Sequence, residues 1–285
     1  MGLVGAGSWG TSVHAPLFAA GPETVLSGIW SRTPARAAHL AAAHGVAAFG
    51  SFDALVAASD AIAFAVPPDV QAELAPRAAR AGRGVLLDKP VALDVEAAQQ
   101  VADAVEEAEV GSVVLLTYRF NPHVRRFLDD VAGFDAIGGR ACFVSGAFLA
   151  GTFGGTWREQ RGALLDIGPH LLDLVEAALG PIVEIRGRRS PGGWTTLAVA
   201  HLSGAVTDVS LCGHAAITPS RTEMEVFGPT GSLAVDGRRD RAAGFEILRA
   251  ELARTVRDRG GHHLDARRGV LVQELVAAAE RAVAG

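Results

Sequence analysis

The chain has 285 residues, which is enough for two domains of ordinary size, each with its own hydrophobic core. Hydrophobic residues make up 49% of it and charged residues 20%, and the formal net charge is −5 at pH 7, so the composition excludes a disordered chain and disfavours nucleic acid as a partner. No apolar run reaches the roughly 18 residues that a membrane span needs. We expect a cytoplasmic protein without an export signal or a membrane partner.

Residues 1–117 alternate short apolar runs with longer alanine-rich stretches. Such alternation predicts parallel strands joined by crossover helices. The clearest helix follows Pro90, with Asp94 as its N-cap, because Ala98, Val101 and Val105 return on one face. The runs that predict strands lie at residues 3–4, 25–30, 61–66, 85–87 and 113–116. We therefore expect an α/β domain with a parallel sheet over 1–117.

The pattern changes after about Tyr118. The predicted elements are, in order, an amphipathic segment at 124–131, a strand at 141–149, a helix over 164–179, period-two strands through residue 226, and helices from 246 and over 267–283. The strands that follow Gly180-Pro181 predict an antiparallel meander. The second domain is therefore expected over 118–285, as an α+β fold with an open, mainly antiparallel sheet.

A glycine-rich turn follows the first predicted strand. Gly5, Gly7 and Gly10 are arranged as in turns that let backbone amides approach a pyrophosphate at the start of a helix. The glycine spacing alone is weak evidence for a nucleotide site in a chain with 34 glycines. The position of the motif directly after a predicted strand makes that evidence stronger. The sequence thus predicts a Rossmann dinucleotide-binding domain in which Gly5, Gly7, Ser8, Trp9 and Gly10 contact the cofactor.

The tip of the second predicted strand indicates which dinucleotide binds. An acid commonly accepts hydrogen bonds from the ribose 2′-hydroxyl at this point, but here Ser31 and Arg32 follow the strand and Arg36 lies one turn later. A hydroxyl and guanidinium groups bind a 2′-phosphate, which an acid would repel. We predict NADP(H) as the preferred cofactor, with NAD(H) possible. The alternative interpretation is that Arg32 and Arg36 bind no ligand and only cap the solvent-exposed start of a helix.

Lys89 is the single lysine among 26 basic side chains. It follows the predicted strand at 85–87, at the end of a parallel sheet where ligands bind. A lysine can present a compact donor to a substrate oxygen, and its pKa can be tuned by burial, whereas an arginine stays charged. Lys89 is therefore a candidate for the active site.

Asp166 and His170 form a second candidate cluster, together with Asp173. If the segment is helical or nearly so, residues four and three apart share a face, and a carboxylate beside an imidazole can transfer protons. A structural role for such a pair is about equally common. A zinc site at this cluster is disfavoured because no further ligands lie at short spacing, so we expect no metal. Cys142 and Cys212 lack the spacing of a zinc site or a redox motif, and we expect both to be reduced, buried thiols.

These motifs together resemble the Gfo/Idh/MocA oxidoreductases, which include glucose-fructose oxidoreductase and inositol dehydrogenase. The most specific match is residues 162–173, similar to the family's Gly-x-x-x-Asp-x-Gly-x-His-x-x-Asp. The other matching segments are the glycine turn, Asp88-Lys89-Pro90 for Glu-Lys-Pro, residues 118–122 for Arg-Phe-x-Pro, and Trp157-Arg158. The chain departs from the family at Asp88, and at Val66 and Gln71, which replace threonine and histidine in Thr-Pro-x-x-x-His.

The resemblance implies a two-domain enzyme that moves a hydride between a nicotinamide and a carbon of a sugar-like hydroxyl or ketone substrate. The family's catalytic residues carry over to Lys89, Asp166 and His170: His170 would transfer the proton, Lys89 would stabilise the reacting oxygen, and Asp166 would position the substrate or His170. Further contacts are expected from Pro67, Trp157 and Arg158 with the cofactor, and from Tyr118 and Asn121 with the substrate. A homodimer or homotetramer would form through the open sheet.

Two alternative functions stay open from the sequence. One is a nucleotide-binding sensor or scaffold without turnover, since the second domain is short for the family. The other is a glycoside hydrolase of the same fold that uses tightly held cofactor for transient oxidation. Neither the substrate nor the direction of the reaction follows from the residues.

Overall fold

The computed structural model describes residues 1–149 and 157–284, and for 157–161 it describes the backbone alone. The described chain divides into two compact units. The first contains residues 1–115 and 245–273, and the second contains residues 116–244 and 274–285. The sequence predicts a single boundary at 117/118. In the structure, however, residues 245–273 near the C-terminus belong to the first unit.

The first unit contains a parallel six-stranded sheet. Its strands are β1 Gly2–Val4, β2 Gly28–Trp30, β3 Ala47–Ala48, β4 Ala61–Phe64, β5 Gly84–Leu87 and β6 Ser112–Val114. They lie in the order β3-β2-β1-β4-β5-β6, and every recorded pair is parallel. This is the order of a Rossmann sheet, whose ligands bind where the order reverses between β1 and β4. The predicted Rossmann domain is confirmed.

Crossover helices connect these strands. They are α1 Ala15–Ala19, preceded by a π-helical turn Gly10–His14, α2 Pro34–Ala43, α3 Phe52–Ala57, α4 Pro68–Arg80 and α5 Val95–Glu107. Asp94 is the N-cap of α5, as predicted, because its side chain accepts a hydrogen bond from the Ala97 amide at 2.8 Å. None of the helices in the described part of the chain is both long and apolar enough to cross a membrane.

The second unit contains a mixed sheet of six strands. They are β7 Gly138–Val144, β8 Ile182–Arg189, β9 Thr195–His201, β10 Val206–Cys212, β11 Arg221–Gly228 and β12 Gly231–Asp236, in the order β12-β11-β7-β10-β9-β8. The predicted plain meander is wrong in one respect, since β7 pairs in parallel with β10 and thereby separates β10 from β11. Helices between β7 and β8 supply the crossover that parallel pairing requires. The sheet is otherwise antiparallel, as expected.

Helices cover one face of this second sheet. The helices that begin within the unit are α6 Pro122–Ala132, α7 Trp157–Asp166, α8 Gly168–Leu179 and α9 Arg241–Asp258. Leu197, Val199, Val209 and Leu211 alternate with exposed residues along β9 and β10 and are fully buried. Neither cysteine forms a disulfide, but only Cys212 is buried, since Cys142 is half-buried on β7. The expectation of two buried thiols is wrong for Cys142.

Part of helix α9 belongs to the first unit, and two glycines of that unit let the helix pack closely against them. A Cβ on Gly84 would lie 2.6 Å from the Val256 side chain, and one on Gly111 would lie 2.5 Å from the Thr255 carbonyl. Helix α10 spans Ala266–Ala284, and its first amide donates to the Ser112 hydroxyl at 3.0 Å. The predicted start of α9 at Glu246 lies five residues inside the observed helix.

His14 gives the first unit a pH-dependent stability. Its ring is fully buried beside Trp9 and Phe18, with centroid distances of 6.4 and 5.8 Å, and burial lowers its pKa from 6.5 to about 4. Between these two values the unfolded chain binds a proton that the folded chain does not. The free energy of unfolding should therefore fall by about 3 kcal/mol as the pH drops from 6.5 to 4.

The measurement is urea unfolding at about pH 7 and about pH 4.5 for the wild type and for His14→Phe. The variant should show a smaller loss of stability between the two values because it has no imidazole to protonate. An equal loss in both proteins would show that His14 does not cause it.

Candidate active site

The glycine turn after β1 has the shape of a nucleotide-binding loop. Gly5 has a φ of +111°, and a Cβ there would lie 2.2 Å from the Ala65 carbonyl oxygen. A Cβ on Gly10 would lie 2.6 Å from the Gly5 carbonyl oxygen, so neither position accepts a side chain. A Cβ on Gly7, in contrast, would meet no described atom within 4 Å. The backbone at Gly7 is therefore open to a close ligand.

The first helical turn begins directly after Gly7. Ser8 is exposed and Trp9 half-buried, and the Ser8 carbonyl accepts a hydrogen bond from the Ser12 hydroxyl at 2.7 Å. Free amides at the start of a helix attract a phosphate group. The open turn and the helix start together fit the pyrophosphate of a dinucleotide.

The carboxyl ends of the parallel strands bring other predicted cofactor residues to the same edge of the sheet. Ser31 follows β2, Pro67 precedes α4 one turn beyond β4, and Lys89 follows β5. Backbone bonds join these ends: the Gly5 amide donates to the Trp30 carbonyl at 2.9 Å, and the Ala65 amide donates to the Val4 carbonyl at 2.8 Å. This edge is the candidate dinucleotide site.

Two of the three residues expected at the ribose, Arg32 and Arg36, are exposed and basic. The Ser31 hydroxyl accepts a hydrogen bond from the Thr33 amide at 3.2 Å, and Arg32 follows it with an exposed side chain. Arg36 is also exposed and lies in the first turn of α2. Two guanidinium groups at this edge are accessible to an anion.

Lys89 lies in a turn directly beyond β5. Its side chain is half-buried, its amide donates to the Asp88 carboxylate at 2.9 Å, and Asp88 itself is buried. Gln71, on α4, bonds to the backbone of the same turn on both sides of Lys89. In the sequence Gln71 stands out only as a departure from the family pattern, because the contact joins residues 17 and 20 positions apart.

In the second unit, Tyr118 and His170 lie in contact. Their ring centroids are 5.1 Å apart in an edge-on arrangement, and both residues are 8% exposed. The Tyr118 hydroxyl is 3.1 Å from the Thr222 hydroxyl, and burial raises the pKa of Tyr118, so its phenol stays protonated at neutral pH. Tyr118 therefore packs against the imidazole with a neutral ring.

Asp166 and His170 do not lie on one continuous helix. Asp166 ends α7, Ile167 breaks the pattern, and His170 lies in the first turn of α8. Pro169 explains the break, since a proline is favoured in the first turn of a helix and disfavoured within one. The predicted helix over 164–179 is thus two helices, although both Asp166 and His170 are buried at the junction.

Asp173 pairs with Arg119. Both Asp173 carboxylate oxygens lie 3.2 Å from Arg119 Nη1, and Asp173 is 1% exposed. This ion pair joins α8 to the segment that carries Tyr118. Asp173 also lies three residues after His170 on α8, the spacing at which the sequence predicts a shared face.

Asn121 has a structural role in place of the predicted contact with substrate. It is 2% exposed, and its side-chain oxygen accepts from the amides of His123 and Val124 at 2.9 and 3.3 Å as the N-cap of α6. Its amide nitrogen donates to the carbonyls of Gly237, at 3.2 Å, and Arg239. These bonds use the full hydrogen-bonding capacity of the carboxamide.

Two predicted cofactor contacts lie outside what the structure describes, namely the side chains of Trp157 and Arg158. Across residues 1–149 and 157–284, no three His, Cys, Asp or Glu side chains are grouped so that they could hold a metal ion. The described candidates thus form two sets, the sheet edge with Lys89 in the first unit and the Tyr118–His170 cluster in the second.

Sequence comparison relates this chain to dehydrogenases. Residues 1–115 match the model of the Gfo/Idh/MocA proteins, described as an oxidoreductase family with an NAD-binding Rossmann fold. Inositol 2-dehydrogenase of Rhizobium meliloti (strain 1021) is 34% identical over 134 residues, which are 45% of this chain and 40% of that protein. The dTDP-3,4-didehydro-2,6-dideoxy-alpha-D-glucose 3-reductase of Streptomyces violaceoruber is 32% identical over 60% of this chain and 52% of its own length. The chain spans about half the length of these curated relatives.

A solved structure supports the fold over both units. GenD2 from gentamicin A biosynthesis, in complex with NAD, has a TM-score of 0.87 to this chain at 21% identity. The match covers 99% of this chain and 93% of that one. At this level of identity the likeness establishes the fold alone, and the predicted fold class is confirmed.

Proposed function

We propose that the chain is a member of the Gfo/Idh/MocA oxidoreductase family, whose model matches residues 1–115, and that it is an NADP(H)-dependent dehydrogenase or reductase. Its substrate would be the CH–OH or ketone group of a small, sugar-like molecule. The observation that carries the proposal is the glycine turn, whose Gly5 and Gly10 exclude side chains while Gly7 leaves the backbone open. The two curated relatives described above are named for inositol and for a nucleotide-linked deoxysugar, which supports a sugar-like substrate.

A bound dinucleotide would supply the hydride chemistry. The side chains of the protein would transfer the proton of the reacting hydroxyl and stabilise the charge on its oxygen. His170 would take the hydroxyl proton during oxidation and return it during reduction. Lys89, a compact cationic donor, would stabilise the partial negative charge that develops on that oxygen. Asp166, buried at the end of α7, would position His170 or the substrate. Tyr118 would keep the imidazole in place through its ring contact.

The test is a parallel titration of the purified protein with NADPH and NADH, followed by nucleotide fluorescence, after release of any retained cofactor. Tight binding is expected, and a screen of ketones should then reveal net NADPH consumption. A folded protein that binds neither nucleotide would favour the sensor or scaffold function. Retained cofactor without net consumption would favour the hydrolase.

Cofactor preference should depend on the tip of β2. The double change Ser31→Asp and Arg32→Ala removes one guanidinium and adds a carboxylate that repels a 2′-phosphate but accepts hydrogen bonds from a 2′-hydroxyl. The ratio of NADPH to NADH affinities should shift by about tenfold or more toward NADH, which is about 1.4 kcal/mol. Arg80→Ala, on the last turn of α4, is the control for loss of a surface charge. An unchanged ratio would contradict the assignment.

We also propose that the chain forms a homodimer or homotetramer through the uncovered face of the second sheet. Exposed residues there carry both signs, such as Asp208 and Arg221, and Arg140 pairs with Glu225 at 2.7 Å. A two-fold interface places one patch against itself, and a patch with both signs is self-complementary. Sedimentation velocity should give a mass at least twice that of the 29.4 kDa chain.

A further inference from the structure

Gln71 holds the turn that carries Lys89. Its side-chain oxygen accepts a hydrogen bond from the Asp88 amide at 2.7 Å, and its nitrogen donates to the carbonyls of Asp88 at 2.8 Å and Val91 at 2.9 Å. Gln71 is 1% exposed, so water does not compete for these bonds. One buried carboxamide thus bonds to the backbone on both sides of Lys89 and Pro90.

The Gln71 side chain satisfies the backbone hydrogen bonds of the residue that follows the end of β5. The last carbonyl of β5, that of Leu87, accepts from the Leu115 amide at 2.8 Å. At the next residue the amide and carbonyl of Asp88 bond to Gln71 in place of a neighbouring strand. A primary amide can do this because it has the donor and the acceptor of a peptide group. The turn therefore depends on a side chain from α4 for its backbone hydrogen bonds.

The chemistry of residue 71 limits what can replace it. Three bonds need two donors and one acceptor, which a carboxamide supplies. A neutral imidazole, the group in the family motif at this position, has one donor and one acceptor and would leave one backbone group unpaired. A carboxylate would place an oxygen against the carbonyls of Asp88 and Val91. Glutamine is thus matched to this turn.

We propose that Gln71 is a positioning residue, which acts through the Asp88–Val91 turn to hold the Lys89 ammonium group where it meets the reacting oxygen. This inference rests on the proposed role of Lys89 in catalysis. A displacement of a catalytic group by about 1 Å can lower a rate about 100-fold. Loss of the Gln71 hydrogen bonds should therefore displace Lys89 and thereby lower the rate of the reaction.

The first measurement reports the environment of Lys89 without any turnover. Reductive methylation with ¹³C-formaldehyde labels Lys89 and the α-amino group, and the two signals are resolved because Lys89 is the single lysine of the chain. In Gln71→Met and Gln71→Glu the Lys89 signal should move toward its position in the urea-unfolded protein. Gln99→Met is the matched control, since Gln99 bonds to the Asp103 side chain on its own helix and should leave the signal unchanged.

The second measurement is a kinetic double-mutant cycle. Gln71→Met should lower kcat about tenfold or more in the wild-type background and have no further effect in the Lys89→Met background. A merely structural role would lower kcat by the same factor in both backgrounds and would overturn the proposal.

The two measurements separate failure of this inference from failure of the proposed function. If no substrate turns over, the proposed function fails, and the Lys89 signal alone decides whether Gln71 places the lysine. A signal unchanged in both Gln71 variants, each folded by circular dichroism, overturns the inference. If Gln71→Met does not fold, Gln71→Glu at neutral pH decides the test: a Lys89 signal at the wild-type position in that folded variant overturns the inference, because its carboxylate cannot donate to either carbonyl.

Discussion

Replacing His170 with alanine should lower kcat about 100-fold or more while NADPH affinity stays within about twofold. The proposed proton transfer needs a titratable group at the reacting oxygen, and His170 is a buried imidazole held against the Tyr118 ring at 5.1 Å. Alanine removes that group, and the dinucleotide turn lies on other elements of the chain. The measurement is steady-state turnover beside a fluorescence titration of the same preparation.

His39→Ala is the control for this substitution, because His39 lies exposed on α2 and should leave kcat unchanged. Unfolding by urea should show whether His170→Ala is folded at the assay temperature. If the folded variant turned over at a near-normal rate, His170 would have no part in proton transfer.

The fold at the candidate dinucleotide site is largely predictable because its signals are local. Glycines at Gly5 and Gly10 are required by backbone approach within a few residues, and the strands of a parallel sheet are continuous apolar runs. The carboxyl ends of such strands meet at one edge, so the sequence alone assigns Ser31 and Lys89 to it. The sequence does not predict the short β3 at Ala47–Ala48, because two exposed alanines carry no strand pattern.

The second unit was predicted less well because its organisation depends on pairing between distant residues. Nothing in the sequence of β7 specifies that it pairs with β10, more than 60 positions away, instead of a sequential neighbour. The break before α8 does have a local signal, Gly168-Pro169, which is typical of a helix start. The spacing of four residues between Asp166 and His170 favours the opposite interpretation, a single continuous helix, and that interpretation is wrong.

Asn121 and Gln71 show why polar residues are hard to assign from sequence. Both are buried carboxamides, and Gln71 bonds to residues 17 and 20 positions away while Asn121 bonds to Gly237 as well as to the helix that it caps. The sequence does not reveal such distant partners, so it leaves open whether a ligand or the backbone satisfies each side chain. The sequence predicts that Asn121 binds substrate, whereas in the structure it caps α6 and holds the Gly237–Arg239 segment. Gln71 differs from the family motif but bonds to the lysine turn. Only the hydrogen-bond partners distinguish these roles.

Gly7→Ala should weaken dinucleotide binding by about tenfold or more without lowering stability. In the folded protein a Cβ on Gly7 meets no described atom within 4 Å, so the methyl group costs the protein nothing, but it occupies the space through which a pyrophosphate approaches the backbone. A tenfold loss corresponds to about 1.4 kcal/mol of binding free energy. Isothermal titration with NADPH and thermal unfolding of the same preparation measure the two effects.

Two other glycines make the result specific. Gly133→Ala, after α6 in the second unit, also adds a Cβ with no described atom within 4 Å and should change neither binding nor stability. Gly5→Ala should instead unfold the first unit, because its Cβ would lie 2.2 Å from a carbonyl oxygen at a φ of +111°. The three variants separate a glycine needed by the ligand from one needed by the fold. Normal NADPH affinity in Gly7→Ala would mean that the pyrophosphate does not lie on this turn, and the assignment of the cofactor site would fail with it.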